Sequence, residues 1–296
     1  MSAGVDQAAR LRELVRDQRG EPSSQLQPST RIVVVTSGKG GVGKTNVTVN
    51  LALILAQRGR RVVLFDADLG MANVDVLLNL SPPFTIADVI AGRRQLAEII
   101  LPVTDNLEVV PGGSGIAQLA SLERAVLDQT VAKLAELESR ADFLLVDTGA
   151  GISPNVLGFV LAAPEVIVVT TPEPTAIVDA YGIIKAVDGK NPGAQVWLLV
   201  NMVESESEAR AVFSKLESII ARFLAVRVRL LGWIEKDGNV GRSVLQQKPF
   251  VRAYPYSLAT RRIHLLAGAL LAQQANPAPK VAGAGFFARL GKALFR

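Results

Sequence analysis

The chain has 296 residues, 49% of them hydrophobic, a net charge of +5 and no cysteine, with a pI near 9.6 and a mean hydropathy of +0.30. That is ample apolar material for one large or two small buried cores, and the missing cysteine excludes disulfides, thiolate metal sites, cysteine-ligated iron–sulfur clusters and thiol nucleophiles together. No apolar run is long enough to span a bilayer and no basic segment followed by an apolar one opens the chain, so the protein is expected in the cytosol.

Taken in chain order, residues 1–18 predict a short helix: Asp6 stands as an N-cap and Leu11, Leu14 and Val15 form an apolar stripe at helical spacing. Residues 19–30 are polar, proline-containing and aperiodic, which predicts a tether. From Arg31 to Gln273 continuous β-branched runs alternate with helical stretches. Strands are expected at Ile32–Thr36, Val62–Asp66, Leu107–Pro111, Phe143–Asp147, Val166–Thr171, Val196–Asn201 and Val228–Ile234, and helices at, for example, Asn46–Gln57, Leu119–Glu138 and Glu206–Phe223. Apolar runs without alternation belong to strands buried on both faces, so residues 31–273 predict an α/β, doubly wound, mostly parallel sheet with helices on both faces and ligands at the strands' C-terminal ends. Residues 274–284 form a second Pro/Gly/Ala-rich tether. Residues 285–296 then predict a short amphipathic helix with Phe286, Phe287, Leu290 and Leu294 on one arc and Arg289, Lys292 and Arg296 opposite, a pattern suited to an anionic membrane interface. The alternative is a helix packed on the body of the domain, and its position after a tether favours the membrane. A helix this short holds weakly alone, so two copies should bind far better than one.

The stretch Thr36-Ser37-Gly38-Lys39-Gly40-Gly41-Val42-Gly43-Lys44-Thr45-Asn46 follows the first strand and opens the first helix, which is the context that makes G-x-x-x-x-G-K-[ST] a phosphate cradle. Backbone N–H groups and the helix N-terminus face the anion, Lys44 reaches the outer phosphates, and the Thr45 hydroxyl is placed for Mg²⁺. Two further strands end in carboxylates, at Asp66-Ala67-Asp68 and at Asp147-Thr148-Gly149-Ala150-Gly151. A carboxylate after a buried strand is costly unless partnered, and Mg²⁺ with its waters supplies the partner. Asp147 and Asp66 are therefore candidate Mg²⁺-shell residues, and one member of the Asp66/Asp68 pair would orient attacking water. The sixth strand ends at Asn201 without the Asn-Lys-x-Asp of GTPases, so adenine is the expected base, with Asn201 at its edge. The lone His264 is most simply structural, and a Ser/His/Asp hydrolase or a metal cluster is untenable with one histidine so placed.

A second loop lysine, Lys39, makes the phosphate cradle resemble the deviant Walker A motif of the MinD/ParA family of dimerising ATPases. The resemblance covers residues 31–273 and implies ATP and Mg²⁺ as cofactors, ATP hydrolysis, and a homodimer in the ATP state in which Lys39 reaches the partner's phosphates. It further implies that Asp68 positions the water and that Asn73 is the switch I asparagine. The family often carries a proline just past the next strand, where Ile234-Glu235-Lys236 stands here, which leaves that side of the base pocket open. The peptide Asp6-Gln7-Ala8-Ala9-Arg10-Leu11-Arg12 and the stretch Asp147–Ser153 are similar to the flagellar-number regulators of that family. That branch implies control of flagellar number and placement, stimulation of an FlhF-type GTPase through Asp6, Gln7, Ala8, Leu11 and Arg12, contacts with flagellar C-ring proteins and in some bacteria a flagellar transcription activator, and peripheral attachment to the inner face of the cytoplasmic membrane. Division-site MinD and a ParA-like DNA-segregation ATPase are the alternatives, with direct DNA binding disfavoured by the terminal helix.

Overall fold

The computed structural model describes residues 30–68, 73–113, 122–273 and 285–294. The expected N-terminal helix and almost all of the first tether, together with the second tether, lie outside them. The β-branched runs form an eight-stranded sheet in the order β3-β4-β2-β5-β1-β6-β7-β8: β1 (Arg31–Ser37), β2 (Val62–Ala67), β3 (Leu101–Thr104), β4 (Leu107–Val110), β5 (Phe143–Ala150), β6 (Glu165–Thr170), β7 (Gln195–Val203) and β8 (Val228–Glu235). Every pairing is parallel except β3 with β4.

Seven of the eight strands are legible as apolar runs. The exception, β3, is a four-residue edge strand containing Pro102, whose residues alternate between half-buried and exposed. Proline donates nothing to a ladder, and on an edge that loss is harmless, so the segment reads as a loop although it pairs antiparallel with β4.

Alternate side chains of the central strands feed two cores. Val33, Val35, Leu64 and Leu145 point toward α1 (Lys44–Gln57) and the late helix α12 (Leu258–Ala272). Val34, Phe65, Val146 and Val168 point to the other face. That face is covered by α5 (Arg124–Leu134), α7 (Pro154–Ala162), α8 (Pro174–Lys190) and α9 (Glu206–Phe223). Shorter helices α2 (Asn73–Leu78), α3 (Ile86–Ile90), α4 (Leu96–Ile99), α6 (Leu137–Arg140), α10 (Gly238–Leu245) and α11 (Phe250–Ala253) fill the connections. The single helix expected over Leu119–Glu138 is thus shorter and broken: α5 stops at Leu134 and α6 starts at Leu137, while residues 119–121 lie outside the description.

The last helix, α13 (Phe286–Leu294), departs from the membrane arrangement expected of it, since in this structure it packs on the body. Phe286, Phe287 and Leu290 are 1%, 0% and 0% exposed. Phe287 sits 6.1 Å from the Phe65 ring and Phe286 6.4 Å from Phe159. Gly158 and Gly291 let the backbones approach: a methyl at Gly158 would stand 2.7 Å from Leu294, and one at Gly291 3.0 Å from Val131. Glu138 accepts the Phe287 N–H at 2.9 Å, which caps the helix start, and the Arg289 Nε donates to the Ala162 carbonyl at 2.9 Å; only Lys292 of the expected membrane-facing set is exposed. The physical reason is that the groove between α5 and α7 removes the same aromatic face from water that a bilayer would, at about 1.5–3 kcal/mol per buried side chain.

Candidate functional site

Because β1 is followed by a tight loop and then α1, the loop's N–H groups collect at the C-terminal end of the sheet. Gly43 is left-handed at φ +85° and has no room for a side chain, since a methyl there would collide with the Asn201 amide. Gly38 is wedged against the backbone of Asp179 on α8, so it too excludes a side chain. Together these glycines permit the loop to close around an anion.

On the floor of the cradle, Asp147 is fully buried and uses both oxygens. Its Oδ2 accepts the Thr45 hydroxyl at 2.7 Å and pairs with the Lys44 ammonium at 3.0 Å, while its Oδ1 accepts the Thr48 hydroxyl at 2.8 Å. The parallel register of β2 and β5 places Asp66 directly beside Asp147. Burial, with the Asp147 carboxylate adding, pushes the Asp66 carboxyl up to about 8, and its Oδ2 is buried without a hydrogen-bond partner. Its other oxygen accepts the Asp68 N–H at 3.0 Å. An orphaned carboxyl oxygen beside a second carboxylate and a threonine hydroxyl fits a cation. Two carboxylates at most, with substrate phosphate and water completing the shell, is the donor set that Mg²⁺ uses. The predicted trio Thr45, Asp66 and Asp147 is therefore brought together, with Lys44 folded onto Asp147.

Asp68 reaches the glycine-rich segment after β5: a methyl at Gly149 would lie 3.4 Å from its Oδ1. That segment is tied to the phosphate loop by the Gly151 N–H, which donates to the Ser37 carbonyl at 2.8 Å. Asp68, Asn73, Asn46 and Asn201 all line one cavity of about 760 Å³ with Gly40, Gly41, Val42, Gly43, Lys44 and Thr45, within the usual range of small-molecule sites. Asn201 has a different primary partner from the one expected: its Nδ2 donates to the Val42 carbonyl at 2.8 Å. This bond pins the phosphate loop to β7 and leaves the acceptor Oδ1 and one amide N–H for a base.

The far wall was hidden from sequence reasoning. Met202, Lys236, Asp237, Val240, Val244 and Leu245 complete the cavity, so an apolar face of α10 stands where the family proline was missing. The i, i+4 spacing of Val240 and Val244 was the available signal. Met202 adopts φ 58°, uncommon for a residue with a side chain, where the β7–β8 register shifts between Asn201 and Val203. Lys39 has also acquired partners no motif announced. Its ammonium, 40% exposed, sits 2.6 Å from Glu173 Oε2 and donates to Thr175 Oγ1 at 3.1 Å, at the start of α8.

Residues 29–271 match the ParA family model, described as NUBPL iron-transfer P-loop NTPase. The chain is 44% identical to the antiactivator FleN of Pseudomonas aeruginosa over 230 residues, 78% of this chain and 82% of that protein. It is 36% identical to the flagellum site-determining protein YlxH of Helicobacter pylori over 294 residues, 98% of this chain and 99% of the relative. Among solved structures, the septum site-determining protein MinD of Pyrococcus horikoshii, complexed with Mg-ADP, superposes with a TM-score of 0.68 at 27% identity, covering 85% of this chain and all of that one. With the phosphate cradle above the paired aspartates and an extra lysine on the outer rim of the loop, the chain belongs to the MinD/ParA family of P-loop NTPases, among the relatives of FleN and YlxH.

Proposed function

We propose that this protein is an ATP-driven switch that hydrolyses ATP to ADP and phosphate as a homodimer and times its own stay on a membrane. The observation that carries the reading is Lys39, a cation at the mouth of a complete phosphate cradle that is turned outward onto Glu173 rather than inward. A second copy facing the cleft would receive that ammonium on its phosphates, where it offsets charge in the transition state. Exposed Ile152 and Val178 flank this mouth and supply apolar rim to such a contact.

Within one subunit, Lys44 leaves Asp147 for the outer phosphates, Thr45 and Asp147 hold the Mg²⁺ shell with Asp66 beside them, and Asp68 accepts a proton from the water it orients. Mg²⁺, when bound, would supply charge neutralisation to the outer phosphates. Adenine suits the base pocket because Asn201, with one amide N–H committed to Val42, presents its Oδ1 as an acceptor to a 6-amino group, and because the Asn-Lys-x-Asp of GTPases is missing after this strand. Residues 31–273 form the ATPase unit, and α13 alternates between its groove and an anionic lipid surface as a peripheral anchor. The name of YlxH, a flagellum site-determining protein, and that of FleN, an antiactivator, support control of flagellar number or placement; in this reading residues 6–12 engage the FlhF-type GTPase, and C-ring proteins or a flagellar transcription activator are further partners.

ATP turnover measured against protein concentration, with phosphatidylglycerol vesicles present, tests the core of this reading. Specific activity should rise with concentration, fall at least about tenfold in Lys39→Ala, and be several-fold weaker with GTP. Concentration-independent activity that is unchanged in Lys39→Ala would sink it.

A further inference from the structure

The edge of the molecule opposite the phosphate loop carries a cluster of charge and aromatic surface that the reading above leaves unused. Three sets of bonds stitch neighbouring element ends into one row along it. Arg289 of α13 donates to the Ala162 carbonyl at the end of α7. Asn191, at the end of α8, donates to the adjacent Ala163 carbonyl at 2.8 Å. Asp188 of α8 accepts the N–H groups of Ala225 and Val226 at 2.8 and 2.7 Å. The start of the terminal helix and the turn between α9 and β8 therefore share one face, at the N-terminal ends of the parallel strands.

At that turn the chain runs Ile219-Ile220-Ala221-Arg222-Phe223-Leu224-Ala225-Val226-Arg227-Val228-Arg229, and between Ser218 and Ile234 it carries three arginines and no acidic residue. Phe223 is 64% exposed and Ile219 36%; Arg222, Arg227, Arg229 and, across the Asp188 link, Lys190 are exposed as well. Among the described residues none of these four cations is paired with a carboxylate, whereas Arg31, Arg61, Arg93, Arg94, Arg140, Arg210 and Arg262 all are. Arg222 and Arg229 lie instead over rings, 5.3 Å from Phe223 and 5.6 Å from Trp197. The carboxylates along this end are engaged elsewhere: Asp188 Oδ1 accepts two backbone N–H groups, Glu138 accepts the Phe287 N–H and Glu165 holds Arg31; Glu217 stands more than a turn away on α9.

One exposed phenylalanine is ordinary on a protein surface. An exposed phenylalanine with Arg222 5.3 Å from its ring, and with Arg227 and Lys190 at the same end of the molecule without carboxylate partners, is a combination that a bilayer surface recognises: arginines and lysine for lipid phosphates, the ring for the acyl boundary. We infer that Phe223 with Arg222, Arg227 and Lys190 is a second membrane contact, specific for anionic phospholipid, that seats the folded body flat while α13 anchors it. This rests on the membrane-switch reading and adds the orientation of the body to it.

The absence of cysteine in the chain makes the test direct. Phe223→Cys in the full chain can carry one environment-sensitive fluorophore, with Ser207→Cys at the other end of α9 as the control. With ATP, Mg²⁺ and phosphatidylglycerol/phosphatidylcholine vesicles, the label at 223 should brighten and shift to the blue, and the label at 207 should not. Phosphatidylcholine alone should give neither response. Reversing Arg222 and Arg227 to Glu should weaken vesicle co-sedimentation about tenfold and flatten its salt dependence, with ATP turnover in the absence of vesicles unchanged. Intact vesicle binding with a silent label at 223, or with no effect of the charge reversal, overturns the second contact and leaves α13 as the sole anchor. Failure of the unaltered protein to bind vesicles at all overturns the membrane reading and this one with it.

Discussion

Asp66 shows how far the site is built against the stability of the chain that carries it. Its carboxyl is pushed to about 8 from an ordinary 3.8, so between those values the unfolded chain is ionised while the folded one retains the proton. A group with a raised folded pKa of this kind contributes stability at low pH that is lost as pH climbs toward 8, at no more than about 1.4 kcal/mol per pH unit. Asp66→Asn, which keeps the shape without the charge, should raise the melting temperature of the nucleotide-free protein, by more at pH 7.5 than at pH 5, and should abolish Mg²⁺-dependent turnover. Scanning calorimetry at the two pH values checks the first half. An equal or lower melting temperature in the variant would mean that Asp66 is partnered in the folded chain. Gly43→Ala is the complementary case: it forces a methyl into φ +85° and into the Asn201 amide. It should cost about 1–3 kcal/mol and displace the loop from Val42–Asn201, so that equilibrium dialysis detects little bound ATP.

Among the elements, α13 and α7 form the pair on which the proposed membrane switch turns. α7 starts at Ser153, whose side chain caps the Val156 N–H, immediately after the Gly149–Gly151 segment that touches Asp68 and the phosphate loop. The same helix lies along α13 through Gly158. The atoms nearest a methyl at 158 all belong to Leu294 and Leu290, so a bulky residue there pushes first on α13. Gly158→Val should expel α13, and the variant should then bind phosphatidylglycerol vesicles without ATP at least several-fold better than the parent. Vesicle co-sedimentation without nucleotide measures this, and parity with the parent would show that Leu294 and Leu290 yield without releasing the helix.

For the whole molecule, the docked helix is part of the core rather than an appendage. Phe286, Phe287 and Leu290 belong to the same buried cluster as Phe65, Phe159 and Val146. A chain lacking residues 285–296 should bare Phe65 and Phe159, bind an apolar dye such as ANS, and melt several degrees lower, on the scale of about 2–4 °C per kcal/mol for a body this size. Unchanged dye binding and melting would show that the groove closes over itself. No helix among the described residues is long and apolar enough to cross a membrane.

The sequence by itself determined the strand–helix alternation, the phosphate loop, Lys44 and Thr45, and the carboxylates Asp66, Asp68 and Asp147. These are legible because periodicity and loop chemistry are local: a buried parallel strand writes its own apolar run, and a glycine cradle is written in consecutive residues. The tertiary structure decided what no local pattern encodes. It set Asp66 beside Asp147 through strand register, gave Lys39 to Glu173 and Asn201 to Val42, and closed the base pocket with α10. It also brought Arg222–Arg229 to the edge where α13 begins. The terminal helix shows the physical reason most plainly: an amphipathic face asks only to leave water, and whether a groove or a bilayer answers depends on Gly158 and Glu138, each over a hundred residues away in the chain, meeting a helix that carries Gly291.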